Sequence, residues 1–523
     1  MTDQTFDYIV VGAGTAGCVV AGRLSERGGS VLLLEMGPSD TDREVAGTVA
    51  DPKNVLTAIW TESISRRYMT TVQPGLGARP MMVHRGVVSG GCSSVHGMVY
   101  VRGNPRDYDI WNKLGNEGWG YKDVLPYFRK SENYSEGASA YHGVGGPLDV
   151  RYQPTPSVAA LAFIDSAATL GYKASSPTWD FNGAQQEDAA GLYQYNVTRG
   201  GRRASSAVAF LDGLPRKGPL AYRKACVTRV YVKGTRAIGV ECLVEGSTRI
   251  YRAEREVIVS CGAFESPKLL MLSGIGPAEH LRDHGIEPVS PLPGVGQNLH
   301  DHMQILVYHM ARRPAGVADF TAEAGLFVRT SSATDTPDLQ YHVLAGMIGL
   351  AENPRERPNF LMCPVLCQPK SRGTVRLAST DPTSAPLIDP RFLDKPDDIK
   401  VLQQGLELME DLARTGALGD VADPSSVPFA VPDPLTPTRR LPLPSRADRE
   451  AFIRATAVTV WHPVGTCKMG PRHDEMAVVD SKLRVYGVEG LRVADASIMP
   501  RITSGNTNAA CFMIGEACAA AIP

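Results

Sequence analysis

What this chain lacks narrows its possibilities before any motif is read. In 523 residues no apolar run reaches the roughly 18 residues of a membrane-spanning helix, and there is no internal repeat or low-complexity tract. Neither sign of charge is in excess: 54 Lys and Arg face 55 Asp and Glu, for a net charge of −1 and a pI near 6.8. Such a balance offers no footprint for nucleic acid or an anionic membrane, so small-molecule ligands are expected. The ten cysteines are scattered, some within apolar stretches such as Val259-Ser260-Cys261 and Ala510-Cys511-Phe512, which argues for buried reduced thiols and against a disulfide framework. The one close pair, Cys363 and Cys367, brackets a proline with no histidine beside it, and no metal site is assigned. A strand pattern starting at Phe6 leaves no room before it for a signal peptide, so a cytoplasmic location is expected. The length exceeds one ordinary core and predicts two or three domains or an elaborated pair.

What is present is concentrated in glycine turns. The apolar run Tyr8-Ile9-Val10-Val11 leads into Gly12-Ala13-Gly14-Thr15-Ala16-Gly17-Cys18, a helix-like stretch, and then Val31-Leu32-Leu33-Leu34-Glu35. This order of strand, turn, helix and acid-tipped strand is a dinucleotide-binding signature. Gly12 permits the tight turn, Gly14 lets a pyrophosphate reach the backbone, and Gly17 lets helix and sheet pack closely. Thr15 and Ala16 open the helix whose N-terminus faces the phosphates, and Glu35, 18 residues after Gly17, is placed to hold a ribose. The motif alone does not separate FAD from NAD.

The remaining chain has different textures. Arg151 to Asn196 mixes polar and aromatic residues, and Gln304 to Leu366 alternates in short runs such as Leu339-Gln340-Tyr341-His342-Val343-Leu344, which predicts half-buried antiparallel strands. Asp423 to Ser445 carries seven prolines and reads as a long surface excursion. Asn506-Thr507-Asn508 precedes an Ala-rich apolar helix, with Asn or Thr as its cap and free N–H groups at its start.

Four further segments carry a resemblance: Gly90-Gly91-Cys92-Ser93-Ser94-Val95-His96-Gly97, Gly262 to Gly276, Gly294 to His302, and Trp461-His462-Pro463-Val464-Gly465-Thr466 together with Val493-Ala494-Asp495-Ala496. With the N-terminal turn they resemble the glucose-methanol-choline oxidoreductases, colinearly over essentially the whole chain. The texture is nearest the choline dehydrogenase-like and hydroxymethyl-aryl alcohol oxidase branch. The resemblance implies an α/β fold: a Rossmann-like FAD domain from 1–155, 200–302 and 455–523, and a substrate domain built on an antiparallel sheet from 156–199 and 303–454. It also implies FAD as cofactor, with Gly90, Gly91, Ser94, His96 and Gly97 against the flavin, Val227 at the adenine, and Asp495 and Ala496 near the pyrophosphate. Thr507 and Asn508 would aim helix N–H groups at the flavin, where a positive helix end favours the anion formed on reduction.

By the same resemblance His462 is the active-site acid/base and Asn506, 44 residues on, its hydrogen-bonding partner. The implied reaction is removal of a hydroxyl proton from a small alcohol with hydride transfer to flavin N5, giving the aldehyde. The electron acceptor is left open between O2 and a quinone or carrier, and a homo-oligomer is left open too. Val95 stands where choline oxidases attach FAD covalently, so non-covalent FAD is expected, with a bond through His96 as the alternative. His342 resembles a pocket histidine. Gln304 stands where choline oxidases place the carboxylate that meets the ammonium, which favours a neutral primary alcohol, such as a hydroxymethyl aromatic. Trp461, Tyr341 and Phe360 are candidate aromatic walls, and His300 and His302 are read as structural or supporting.

Overall fold

Two sheets of opposite character carry the chain. The computed structural model describes residues 4–174, 178–318, 320–346, 359–431 and 440–523. In the first sheet the strands run in the order Leu220–Lys224, Val31–Glu35, Gln4–Val11, Ser247–Val259, Arg236–Val244 and Cys226–Lys233, with Leu491–Val493 also paired to Ser247–Val259. Val31–Glu35, Gln4–Val11, Ser247–Val259 and Leu491–Val493 pair in parallel, whereas the strands from 226 to 259 form an antiparallel meander. The continuous apolar runs Tyr8–Val11 and Val31–Leu34 are wholly buried, as expected of parallel strands covered on both faces. Helix Thr15–Glu26 packs against helix Asn508–Ala521, where a Cβ on Gly515 would come 2.6 Å from Val19.

The second sheet is antiparallel, in the order Leu441–Pro442, Phe429–Ala430, Val307–Met310, Asn359–Leu366, Leu339–Ala345, Ala324–Val328 and Ala189–Leu192. Met303–Gln304 pairs with Asn359–Leu366 on one side and with Val458–Thr459 on the other, which ties the segment before His462 to this sheet. Antiparallel pairing matches the sequence reading; half-burial does not. Every residue of Leu339–Ala345 is buried, because helices Val158–Thr169 and Pro396–Arg414 cover one face and the cavity described below covers the other. The alternation therefore separates a helix-facing row, Leu339, Tyr341 and Val343, from a cavity-facing row that includes His342. The proline-rich stretch is also more than an excursion, since Phe429–Ala430 pairs with Val307–Met310 and Leu441–Pro442 pairs in turn with Phe429–Ala430 at the sheet edge. Residues 432–439 of that stretch, and 347–358 of the alternating one, lie outside the described residues.

Candidate active site

A cavity of about 1000 Å³ opens between the two sheets and draws its wall from Val11 to Cys511. At its nucleotide end Gly12 has φ +94°, and a Cβ there would lie 2.6 Å from the Ser260 carbonyl. A Cβ on Gly17 would lie 2.0 Å from the Gly12 carbonyl, so helix and strand approach too closely for any side chain. A Cβ on Gly14 would come no nearer than 3.7 Å, to the Ser260 carbonyl. Packing does not demand glycine there, whereas a ligand pressed on the backbone would. Glu35 is buried, with Oε2 accepting from Ala13 N at 2.9 Å and Oε1 from Gly37 N at 3.0 Å, which leaves each oxygen a second lone pair for a ribose hydroxyl. Burial raises its pKa against these bonds.

The Gly90 loop lies on this turn: Gly90 and Gly91 have φ +85° and +52°, and a Cβ on Gly91 would come 2.7 Å from Gly14 Cα. Gly91, His96 and Gly97 line the cavity together with Gly12, Gly14, Thr15, Ala16, Glu35, Val227, Asp495, Ala496, Thr507 and Asn508. Gly17, Gly90 and Ser94 do not. They shape the loops behind the wall, Ser94 by donating to the Ser89 carbonyl at 2.7 Å. Asp495 is occupied locally, accepting from Gly262 N, Ser266 Oγ and Ser497 N. The expected side-chain cap on the last helix is not made by Thr507, which sits at the N-cap position without a capping bond. Asn508 instead accepts from Thr15 Oγ1 at 2.7 Å, joining the two helix starts.

His96 Nδ1 accepts the Met98 amide at 2.8 Å, so its proton sits on Nε2, and burial followed by the Arg203 charge lowers its pKa to about 3. That Nε2, Ser260 Oγ and Asn508 Nδ2 are buried polar atoms with no partner, and all three residues line the cavity. Orphaned polar groups and a glycine cradle fit a large polar cofactor of FAD type.

At the other end the backbone turns sharply at Trp461, whose φ is +63°. Three bonds hold it: Trp461 N donates to Thr459 Oγ1 at 2.7 Å, Arg85 donates to the Trp461 carbonyl at 2.8 Å, and Asp301 Oδ1 accepts His462 N at 2.7 Å. Asp301 also accepts from Thr459 Oγ1 at 2.5 Å, and burial pushes its pKa up to about 6. The His462 side chain faces His302, with Nδ1 to Nδ1 at 3.0 Å. His302 Nε2 lies 2.9 Å from the Cys367 carbonyl, which can only accept, so His302 carries its proton on Nε2. Burial holds both rings neutral, His302 at about 3 and His462 well below 6.5, the latter also through the nearby Arg85 charge. His462 must then donate from Nδ1, which leaves a lone pair on Nε2. Asn506 Nδ2 lies 3.4 Å from that Nε2.

His342 and Gln304 complete this end. His342 is 6 % exposed with Nε2 unpartnered, and burial lowers its pKa to about 4. Gln304 Oε1 is likewise buried without a partner. Trp461 lines the cavity, but Tyr341 and Phe360 do not. Tyr341 points through the sheet to donate to the Gly405 carbonyl, and Phe360 stacks on His309 at 5.1 Å. Strand alternation explains the first of these: with His342 facing the cavity, its neighbour Tyr341 faces away. Trp60, with His84 between it and Trp461, is an aromatic wall that the sequence reading missed. Also missed were the backbone clamp by Asp301 and Thr459, and Gln340 and Tyr193 behind Asn506; the Asp301-His302 dipeptide before Gln304 was the one available signal.

Two family models for GMC oxidoreductases match residues 6–304 and 369–515. The chain is 37% identical to an oxygen-dependent choline dehydrogenase of Sinorhizobium medicae, covering 98% of this chain and 94% of the relative. It is 38% identical to human mitochondrial choline dehydrogenase, covering 98% and 88%. A crystal structure of pyridoxine 4-oxidase from "Mesorbium loti" superposes with a TM-score of 0.85 at 28% identity, covering 98% of each chain. With both halves of the cavity accounted for by these matches, the chain belongs to the GMC oxidoreductases, FAD-dependent enzymes that oxidise CH–OH groups.

Proposed function

We propose that this enzyme oxidises a neutral primary alcohol, a hydroxymethyl aromatic in preference to choline, with His462 as the base and Asn506 as the donor to the alcohol oxygen. One observation carries the base assignment: the lone pair on His462 Nε2, enforced through His302 from the Cys367 carbonyl. His462 Nε2 takes the hydroxyl proton while Asn506 Nδ2–H stabilises the developing alkoxide. FAD, when bound, supplies the hydride acceptor. The glycines, Thr15, Ala16, Glu35, Val227, Asp495, Ala496, Thr507 and Asn508 would hold it, with His96 Nε2–H as a donor from the Gly90 loop.

The neutral substrate is supported by the lining around Gln304, His342, Leu306, Tyr308, Leu344, Cys363, Trp60 and Trp461, which among the described residues contains no carboxylate. The lining acids, Glu35, Glu265 and Asp495, belong to the stretches around the nucleotide end. We assign 1–155, 200–302 and 455–523 to the cofactor domain and 156–199 and 303–454 to the substrate domain, in keeping with the two sheets. Ten unbridged cysteines suit a reducing compartment, the cytoplasm. Among the described residues no helix is long and apolar enough to cross a membrane.

The test is anaerobic mixing of FAD-loaded enzyme with benzyl alcohol, pyridoxine, 1-butanol and choline while flavin absorbance is followed. His462→Ala should slow bleaching by roughly 10²- to 10⁴-fold. An undiminished rate at normal FAD content removes His462 from the reaction. Adding O2 or a quinone to the reduced enzyme then identifies the acceptor.

A further inference from the structure

Behind Asn506 runs a second chain of hydrogen bonds whose direction is also fixed by a backbone carbonyl. Tyr193 OH lies 2.6 Å from the Tyr341 carbonyl and must donate to it. Its oxygen can therefore only accept from Gln340, whose Nε2 is 2.8 Å away. The same Nε2 lies 3.5 Å from Asn506 Oδ1, while Gln340 Oε1 accepts from Cys367 Sγ at 3.5 Å. Gln340, Tyr193 and Cys367 are all fully buried.

We infer that Gln340, held by Tyr193, is a positioning residue that turns the Asn506 amide so that its Nδ2 donor, and not its oxygen, faces His462 and the alcohol oxygen. This rests on the reading of His462 and Asn506 given above. The opposite amide orientation is opposed at both ends. It would set Asn506 Nδ2 against the Gln340 Nε2 donor and Asn506 Oδ1 against the His462 Nε2 lone pair. Cys367 joins the two chains: its carbonyl polarises His302 and His462, and its thiol engages Gln340. Two backbone carbonyls, those of Cys367 and Tyr341, thus dictate which atom accepts and which donates where the alcohol is activated.

The experiment is a double-mutant cycle on the FAD-loaded enzyme, using anaerobic flavin reduction by whichever of the four alcohols above reduces the wild type fastest. Gln340→Met and Tyr193→Phe should each lower the limiting reduction rate roughly 10- to 100-fold, the range for one hydrogen bond to a charged oxygen. In the Asn506→Ala background Gln340→Met should add nothing, because the group it positions is gone. In both single variants the ionisation on the acid side of the rate profile should also rise. An Asn506 oxygen turned to His462 Nε2 favours the protonated ring, an effect that loss of packing alone does not produce. If Gln340→Met does not load FAD, Tyr193→Phe, which deletes one hydroxyl, carries the test. Additive slowing in the double variant, or an unmoved profile in the single variants, overturns the inference. An Asn506→Ala enzyme as fast as wild type overturns instead the role given to Asn506 itself.

Discussion

The Nδ1 atoms of His302 and His462 lie 3.0 Å apart, and the proton between them comes from His462 because His302 spends its own on the Cys367 carbonyl. Removing that acceptor frees His462 to place its proton on Nε2, the wrong tautomer for a base. His302→Ala should therefore lower the anaerobic reduction rate by roughly 10² or more; the comparable orienting carboxylate of a serine protease triad is worth about 10⁴. His302→Gln, whose amide can accept from His462 and donate to Cys367, should recover part of the loss. Equal rates for the two variants would refute the tautomer argument.

Stability should respond to pH in a definite direction. Burial lowers His96, His302 and His309 to about 3 and His342 to about 4, and pushes His300 and His462 well below 6.5. Each takes up a proton near pH 6.5 when unfolded but not when folded, so the unfolded state gains protons on acidification and stability falls. Asp107 and Asp301, raised by burial from 3.8 to about 6, have the opposite sign, but only between those values. The melting temperature of the FAD-loaded protein should thus fall between pH 7 and 6, with a shallower change below 6. A midpoint that rises from pH 7 to 6 contradicts this account.

Acid precipitation should release the flavin. With its proton on Nε2 and its Nδ1 committed to the Met98 amide, His96 offers no free lone pair for a bond to the cofactor. The supernatant should contain FAD by absorbance and mass; a pellet that stays yellow would show a covalent link.

Gln304→Glu places a carboxylate in a lining that among the described residues has none near His342 and Trp461. We expect kcat/KM for choline to rise at least about tenfold, equivalent to about 1.4 kcal/mol, while that for benzyl alcohol falls. A wild-type enzyme that prefers choline over the three neutral alcohols would disprove the neutral pocket.

The cofactor end was legible in the sequence because a glycine turn is a local object: the conformations of Gly12 and Gly91 and the contact of Gly17 follow from steric limits on a few consecutive residues. The alcohol end was less so. His462 and Asn506 stood out by resemblance, but His302 and Gln340 reach them across 160 and 166 positions, and Tyr193 reaches Gln340 across 147, distances set only by tertiary pairing. Tyr341 was recoverable from strand alternation once His342 was placed in the cavity. Phe360 was not, because its direction depends on the register of Asn359–Leu366 against both neighbours.

The long strand Ser247–Val259 lies between Gln4–Val11 and Leu491–Val493, and its partners therefore come from opposite ends of the numbering. During synthesis the consequence is one of timing. The strand Leu491–Val493 and the helix start at Asn508 are made only after about 490 residues have preceded them, so the nucleotide turn must wait for both. Long-range pairing of this kind is slow to find and leaves strand edges bare in the interim. Because Asp495, Ala496 and Asn506 to Asn508 line the cavity, damage to this late segment should cost flavin content before it costs secondary structure.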